Sequence, residues 1–152
     1  MIPDLLKLTS SEKELVYKAP LLVCILIAGA DGKIDTKEIG EAVTISQDRQ
    51  WVKPILSTYF SEVSMDFEDK IKVLIQSYPY DKEERFAVIS NELSGLNSLW
   101  PKFSNEFAHS LFDALKFLAQ RIASSSGGFW GKISQEEAQL LHLPMISSPS
   151  QQ

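Results

Sequence analysis

The sequence predicts an all-α protein, a helical bundle of two pseudo-repeated halves around two central helices. Apolar residues return at three- and four-residue spacing, and no stretch alternates as a half-buried strand would. Helix start signals recur along the chain. A skeleton of four residues occurs twice, as Gly32, Lys33, Ile34 and Glu38 and again 99 positions later as Gly131, Lys132, Ile133 and Glu137.

Ser11 with Glu14 reads as a capping box opening a first helix that runs to about Gly29, which Pro20 is expected to kink or split. The second half of that helix, Leu21 to Ala28, is apolar all round and belongs at the centre. Asp35 caps a second helix carrying Ile39, Ala42 and Val43, and Pro54 marks a break before Ile55, Leu56, Tyr59 and Phe60. Phe67, Ile71, Leu74 and Ile75 give a third amphipathic helix, ended by Tyr78, Pro79 and Tyr80. Asp81 with Glu84 is another capping box, for a helix bearing Val88, Ile89, Leu93 and Leu96. Pro101 starts the next, whose stripe of Phe103, Phe107, Leu111, Leu115, Leu118 and Ile122 faces the core and makes it the second central helix. The two long helices are expected to pack together. Ser124 to Gly131 reads as a flexible connector, and Ser134 with Glu137 caps a short last helix. The expected organisation is one domain over 1–146 with a disordered tail at 147–152.

At 152 residues the chain is long enough to bury a core without a disulfide staple. Its 44% hydrophobic and 23% charged residues are those of an ordinary globular protein, and a formal charge of -5 argues against nucleic acid as the main partner. The single cysteine, Cys24, lies inside the apolar run LLVCILIA, where a thiol acts as a small buried hydrophobe. The N-terminus has no basic region followed by an apolar core and a small-residue cleavage site, and no apolar run reaches the ~20 residues that span a bilayer. A soluble, cytoplasmic protein without direct membrane insertion is expected.

The most informative stretch is ADGKIDTKE, Ala30 to Glu38, which follows the apolar run and sets three acids around a glycine. It reproduces the second half of a helix-loop-helix calcium site: Asp31 an acid, Gly32 the sharp-turn glycine, Ile34 the apolar residue, Asp35 a second acid and Glu38 the bidentate glutamate. The two earlier ligand places fall on Ile27 and Gly29, whose side chains carry no oxygen. Three carboxylates where calcium takes about 6 to 8 oxygens predict weak binding, of sub-millimolar to millimolar strength. The competing reading needs no metal, because Asp35 at the N-cap with Glu38 at N3 is an ordinary helix start and Gly32 suits a tight turn. Capping explains Asp31 least. In the second copy Trp130 stands where Asp31 does and Ser134 where Asp35 does, so only Glu136 and Glu137 are acidic and an independent second site is not expected. If Ile34 and Ile133 meet across a pseudo-two-fold axis, Glu137 comes within reach of the first loop.

An apolar helix running into ADGKIDTKE, an all-α chain of this length and a degenerate echo before the last helix resemble the tellurite-resistance protein B (TerB-like) family. The resemblance covers most of the chain by architecture, and its specific part is the first motif. It implies an all-α bundle of two related halves acting in bacterial stress responses, as a metal-linked module of membrane-associated complexes without established catalysis. The family's acidic motifs carry over to Asp31 and Glu38, and the weakened second motif departs from a symmetric two-site pattern.

Other chemistry finds little support. The stretch SGGFWGKIS lacks a phosphate loop's first glycine, having Ser126 there, and Ile133 replaces the hydroxyl residue after the lysine. His109 and Asp113 are four apart on one helix but off the apolar stripe, which makes a solvated pair; His142 sits near the C-terminus with no cysteine beside it. Trp51, Trp100 and Trp130 stand at element ends, as lids over helix termini or, for Phe129 with Trp130, as a surface for a protein partner. The reading is a non-catalytic module that binds a divalent cation, calcium or magnesium, weakly through Asp31, Asp35 and Glu38 and couples it to a stress-response complex. The alternative is a helical interaction scaffold with no metal site.

Overall fold

A computed structural model describes residues 2–30, 34, 36–48, 50–124 and 138–151. Among them lie six α-helices and several 3-10 turns, with no strand. The helices are α1 (Ser10–Ala28), α2 (Thr36–Gln47), α3 (Ser57–Ser64), α4 (Phe67–Ser77), α5 (Lys82–Ser94) and α6 (Asn105–Ser124). The all-α bundle expected from the periodicity is the fold observed. The repeat that suggested two related halves rests on Gly131 to Glu137, outside the described residues.

Two long helices form the axis. α1 and α6 pack along each other more extensively than any other pair; α2 lies against both, α5 against α1, and α3 and α4 close the remaining side. The composition of α1 accounts for its place, because every residue from Pro20 to Ala28 is buried and a helix apolar on all faces must be surrounded. α6 carries one stripe, so Phe107, Leu111, Leu115, Leu118 and Ile122 are buried while Asp113 and Gln120 face water.

Four local differences from the sequence reading have physical causes. α1 is capped two residues earlier than Ser11, by Thr9, whose hydroxyl accepts from the Glu12 N–H while the Glu12 carboxylate accepts from the Thr9 N–H. Lys102 adds an ion pair of 2.7 Å to that carboxylate, fastening the box to the segment before α6 and lowering the Glu12 pKa. Pro20 does not split the helix. It has no N–H for the Val16 carbonyl four residues back, and the Tyr59 hydroxyl of α3 donates to that oxygen at 2.6 Å. Pro101 opens only a 3-10 turn, Trp100–Lys102; α6 starts after Ser104, whose side chain accepts from the Phe107 N–H. Finally, the expected free tail is tied down through Ser150. Asn97 donates to the Met145 carbonyl and accepts from the Ser147 N–H, the Trp100 indole donates to the Ser147 carbonyl, and Ser150 meets His109 at 3.3 Å. Asp81 does cap α5, accepting from the Glu84 N–H at 3.0 Å.

Candidate functional site

The candidate site is the end of α1 and what surrounds it. The helix delivers its last buried residues, Leu26, Ile27 and Ala28, to Gly29, whose N–H closes the final turn on Ile25 at 3.0 Å; the Ala30 N–H reaches the Ile27 carbonyl. No basic residue stands in this last turn, so the negative end of the helix has no cation of its own strand of sequence.

The cation comes from α5. The Arg85 guanidinium donates from Nη2 to the Gly29 carbonyl at 2.9 Å and from Nη1 to the Tyr80 carbonyl at 2.8 Å, and the residue is only 4% exposed. It lies so close to the backbone that a Cβ on Gly29 would stand 2.7 Å from Nη2 and 3.1 Å from Nε. Gly29 has φ -102°, open to any residue, so glycine is required here for the approach of the guanidinium and not for the turn. Arg85 lines two recesses. One, of about 60 Å³, is lined by Leu26, Gly29, Phe86 and Leu140; the other, of about 500 Å³, by Ile34, Ile75, Tyr78 and Tyr80.

Further along the chain, Glu38 lies in the first turn of α2 and is 3% exposed, beside the buried Ile39. A carboxylate removed from water needs positive charge or hydrogen-bond donors around it. Asp31 and Asp35, the other two predicted ligands, and Gly32 fall outside the described residues, as do Phe129, Trp130 and the second motif from Gly131 to Glu137. Among the described residues, no three His, Cys, Asp or Glu side chains gather as a metal-binding group.

The remaining candidates have structural surroundings. Cys24 is 1% exposed, and burial pushes its thiol up to about 12, which leaves no thiolate for nucleophilic work near neutral pH. His109 meets Ser150, and Asp113 and His142 are exposed. Trp51 closes the end of α2, its indole donating to the Ile45 carbonyl at 3.2 Å while the ring stacks on Phe117 and meets the edge of Phe60. Trp100 is a buried plug against Phe103 and Phe112. Both fit the reading of tryptophans as lids over element ends.

Sequence reasoning missed Arg85. The available signal was its register, since Arg85, Ile89 and Leu93 recur at four-residue spacing and all three are buried along one face of α5. No described helix is long and apolar enough to cross a membrane. No family model, curated protein or solved structure matches the chain.

Proposed function

We propose that the chain is a non-catalytic helical module of the TerB-like kind, which binds a divalent cation weakly through Asp31, Asp35 and Glu38 and transmits the bound state to the contacts of a stress-response complex. The observation that carries the reading is the burial of Glu38, a carboxylate kept from solvent in the first turn of the helix that follows α1. An acid fixed on a helix is a pre-positioned ligand. Three carboxylates leave a calcium or magnesium ion to complete its shell with water and backbone carbonyls, which keeps affinity low. An ion held between Asp31 and Glu38 would tie the end of α1 to the start of α2, both of which pack against α6. Coupling to a partner would then run through the bundle's central helices.

The test is the thermal midpoint of chelator-stripped protein with calcium, magnesium, manganese or zinc added. Binding to the folded state alone at about 100 times the dissociation constant contributes about 2.7 kcal/mol, a rise of roughly 5 to 11 °C for a chain of this size. The rise is expected in the natural sequence and absent from Asp31→Asn and Glu38→Gln. At about 10 mM ion even a site of about 1 mM strength contributes about 1.4 kcal/mol, so no rise in the natural sequence there would remove the metal from the account.

The second reading, a scaffold without a metal, draws on the face between α1 and α4. There Tyr17, Leu21, Val73 and Leu74 line an open groove of about 490 Å³, rimmed by Glu14, Lys18, Asp69 and Lys70. An amphipathic partner helix with an apolar stripe between charges of both signs suits such a rim. In that reading added cations leave the midpoint unchanged.

A further inference from the structure

We infer that the C-terminal segment from Leu140 to Ser150 is an internally bound peptide, and that, independently of any cation, a second copy of the chain fills the same groove with its own segment. The groove lies between the 3-10 turn that follows α5, Gly95–Ser98, and α6. Both 3-10 turns of the segment, Gln139–His142 and Pro149–Gln151, pack on α6.

Three observations carry this. First, the groove grips main chain. The Asn97 side-chain amide donates to the Met145 carbonyl at 3.1 Å and accepts from the Ser147 N–H at 2.7 Å, and the Trp100 indole donates to the Ser147 carbonyl at 2.9 Å. Backbone bonds of this kind hold a bound peptide, while side-chain anchors set which peptide it is. Second, the anchors are two. Of residues 138–150 only Leu143 and Ile146 are buried, at 0% and 4% exposure. Successive turns, from the Leu143 N–H to the Leu140 carbonyl and from the Ile146 N–H to the Leu143 carbonyl, both at 3.0 Å, set them three residues apart. The helices of the bundle are held by whole apolar stripes instead, so this segment is the more easily detached. Third, Leu143 has φ 51° and ψ 66°, a left-handed conformation that a leucine side chain disfavours. Burial of the side chain holds the backbone there, and the strain offsets part of what the anchor contributes.

The occupant that fits this groove is the chain's own sequence. Exchange between two copies therefore needs no new complementarity, because each contact broken in one protomer is remade in the other. In dilute solution the segment stays with its own chain, since tethering presents it at an effective concentration on the order of millimolar. Weakening the segment in one copy and the groove in another removes that advantage.

The experiment mixes two full-length variants, Ile146→Ser with a weakened segment and Asn97→Ala with a weakened groove, and reads their mass by light scattering. At about 0.1 mM the natural chain and each variant alone are expected to be monomeric. The mixture is expected to form a one-to-one complex, associating at least about ten-fold more strongly than either variant with itself, because the intact segment of one copy meets the intact groove of the other. Excess peptide spanning residues 140–150 is expected to dissolve it. A mixture that stays monomeric while both variants keep their helical circular dichroism would overturn the inference. So would a complex that survives the peptide, or one that either variant forms equally well alone. Should Ile146→Ser fail to fold, hydrogen exchange of the natural chain decides the matter at the Ile146 and Ser147 amides: opening that is independent of global unfolding supports a detachable segment, and exchange only through global unfolding overturns it.

Discussion

Removing one oxygen from Tyr59 tests how this fold accommodates a proline in its central helix. Tyr59 and Val16 are both 0% exposed, and the tyrosine hydroxyl donates at 2.6 Å to the carbonyl that Pro20 cannot serve. Burial pushes the Tyr59 pKa well above its ordinary value of 10.0, so the group remains a donor throughout the neutral range. Tyr59→Phe keeps the ring and its packing against Tyr17, Phe60 and Phe107, so the change is confined to the hydrogen bond. Leaving a buried carbonyl without this donor costs about 1–3 kcal/mol; taking about 2 kcal/mol, the midpoint falls by roughly 4 to 8 °C for a chain of this size. Pro20→Ala returns an N–H to the position four residues after Val16. In that background Tyr59→Phe is expected to cost about 1 kcal/mol less, because the helix now serves its own carbonyl. Urea unfolding of the four proteins in the cycle measures the coupling directly. Costs that add to within about 0.3 kcal/mol would refute the claim that Tyr59 substitutes for the missing helical donor.

Three further outcomes follow from the same packing. Gly29→Ala places a methyl group 2.7 Å from Arg85 Nη2, so the guanidinium must give up its carbonyl contacts; a loss of about 1–3 kcal/mol in urea unfolding is expected, and near neutrality would refute the claim that those contacts need glycine here. Alkaline titration should unfold the chain: burial raises Cys24 from 9.0 to about 12, and burial with the Glu62 carboxylate raises Tyr17 from 10.0 to about 12. Groups whose folded values are raised contribute stability that is whole below the unfolded values and is lost as pH rises, so stability should be flat to about pH 9 and fall from there towards 12. Unfolding by chemical denaturant that is equally easy at pH 8 and pH 11 would contradict this. Asn97→Ala removes both hydrogen bonds to the Met145–Ser147 backbone, and limited proteolysis is expected to trim the C-terminal segment several-fold faster, with unchanged trimming counting against the anchor.

The bundle was legible because its signals are local and redundant. Six stripes of apolar residues at helical spacing leave little freedom in element type, and the continuous apolar run in α1 leaves none in which helix is central. Details set by distant partners were not legible. Nothing near Pro20 reveals that a tyrosine hydroxyl 39 residues later repairs the helix, and nothing in SSPSQQ reveals that Asn97 and Trp100 hold it. Capping was misplaced at α1 because Ser11 with Glu14 and Thr9 with Glu12 both fit the same four-residue pattern, and only the tertiary pair with Lys102 favours the second. At the site, the acids announce themselves by spacing, while the buried Arg85 that meets the Gly29 carbonyl hides among the charges of DKEER. Its register with Ile89 and Leu93 was the one local clue.

The central claim is that a divalent cation binds at the turn after α1, and amide spectra recorded during a calcium titration test it most directly. The account predicts shifts concentrated at Gly29, Ala30, Ile34 and Glu38, saturating between about 0.1 and 10 mM and absent from Asp31→Asn. Shifts that match those from sodium chloride at equal ionic strength, or that fall on other surfaces of the bundle, would contradict it.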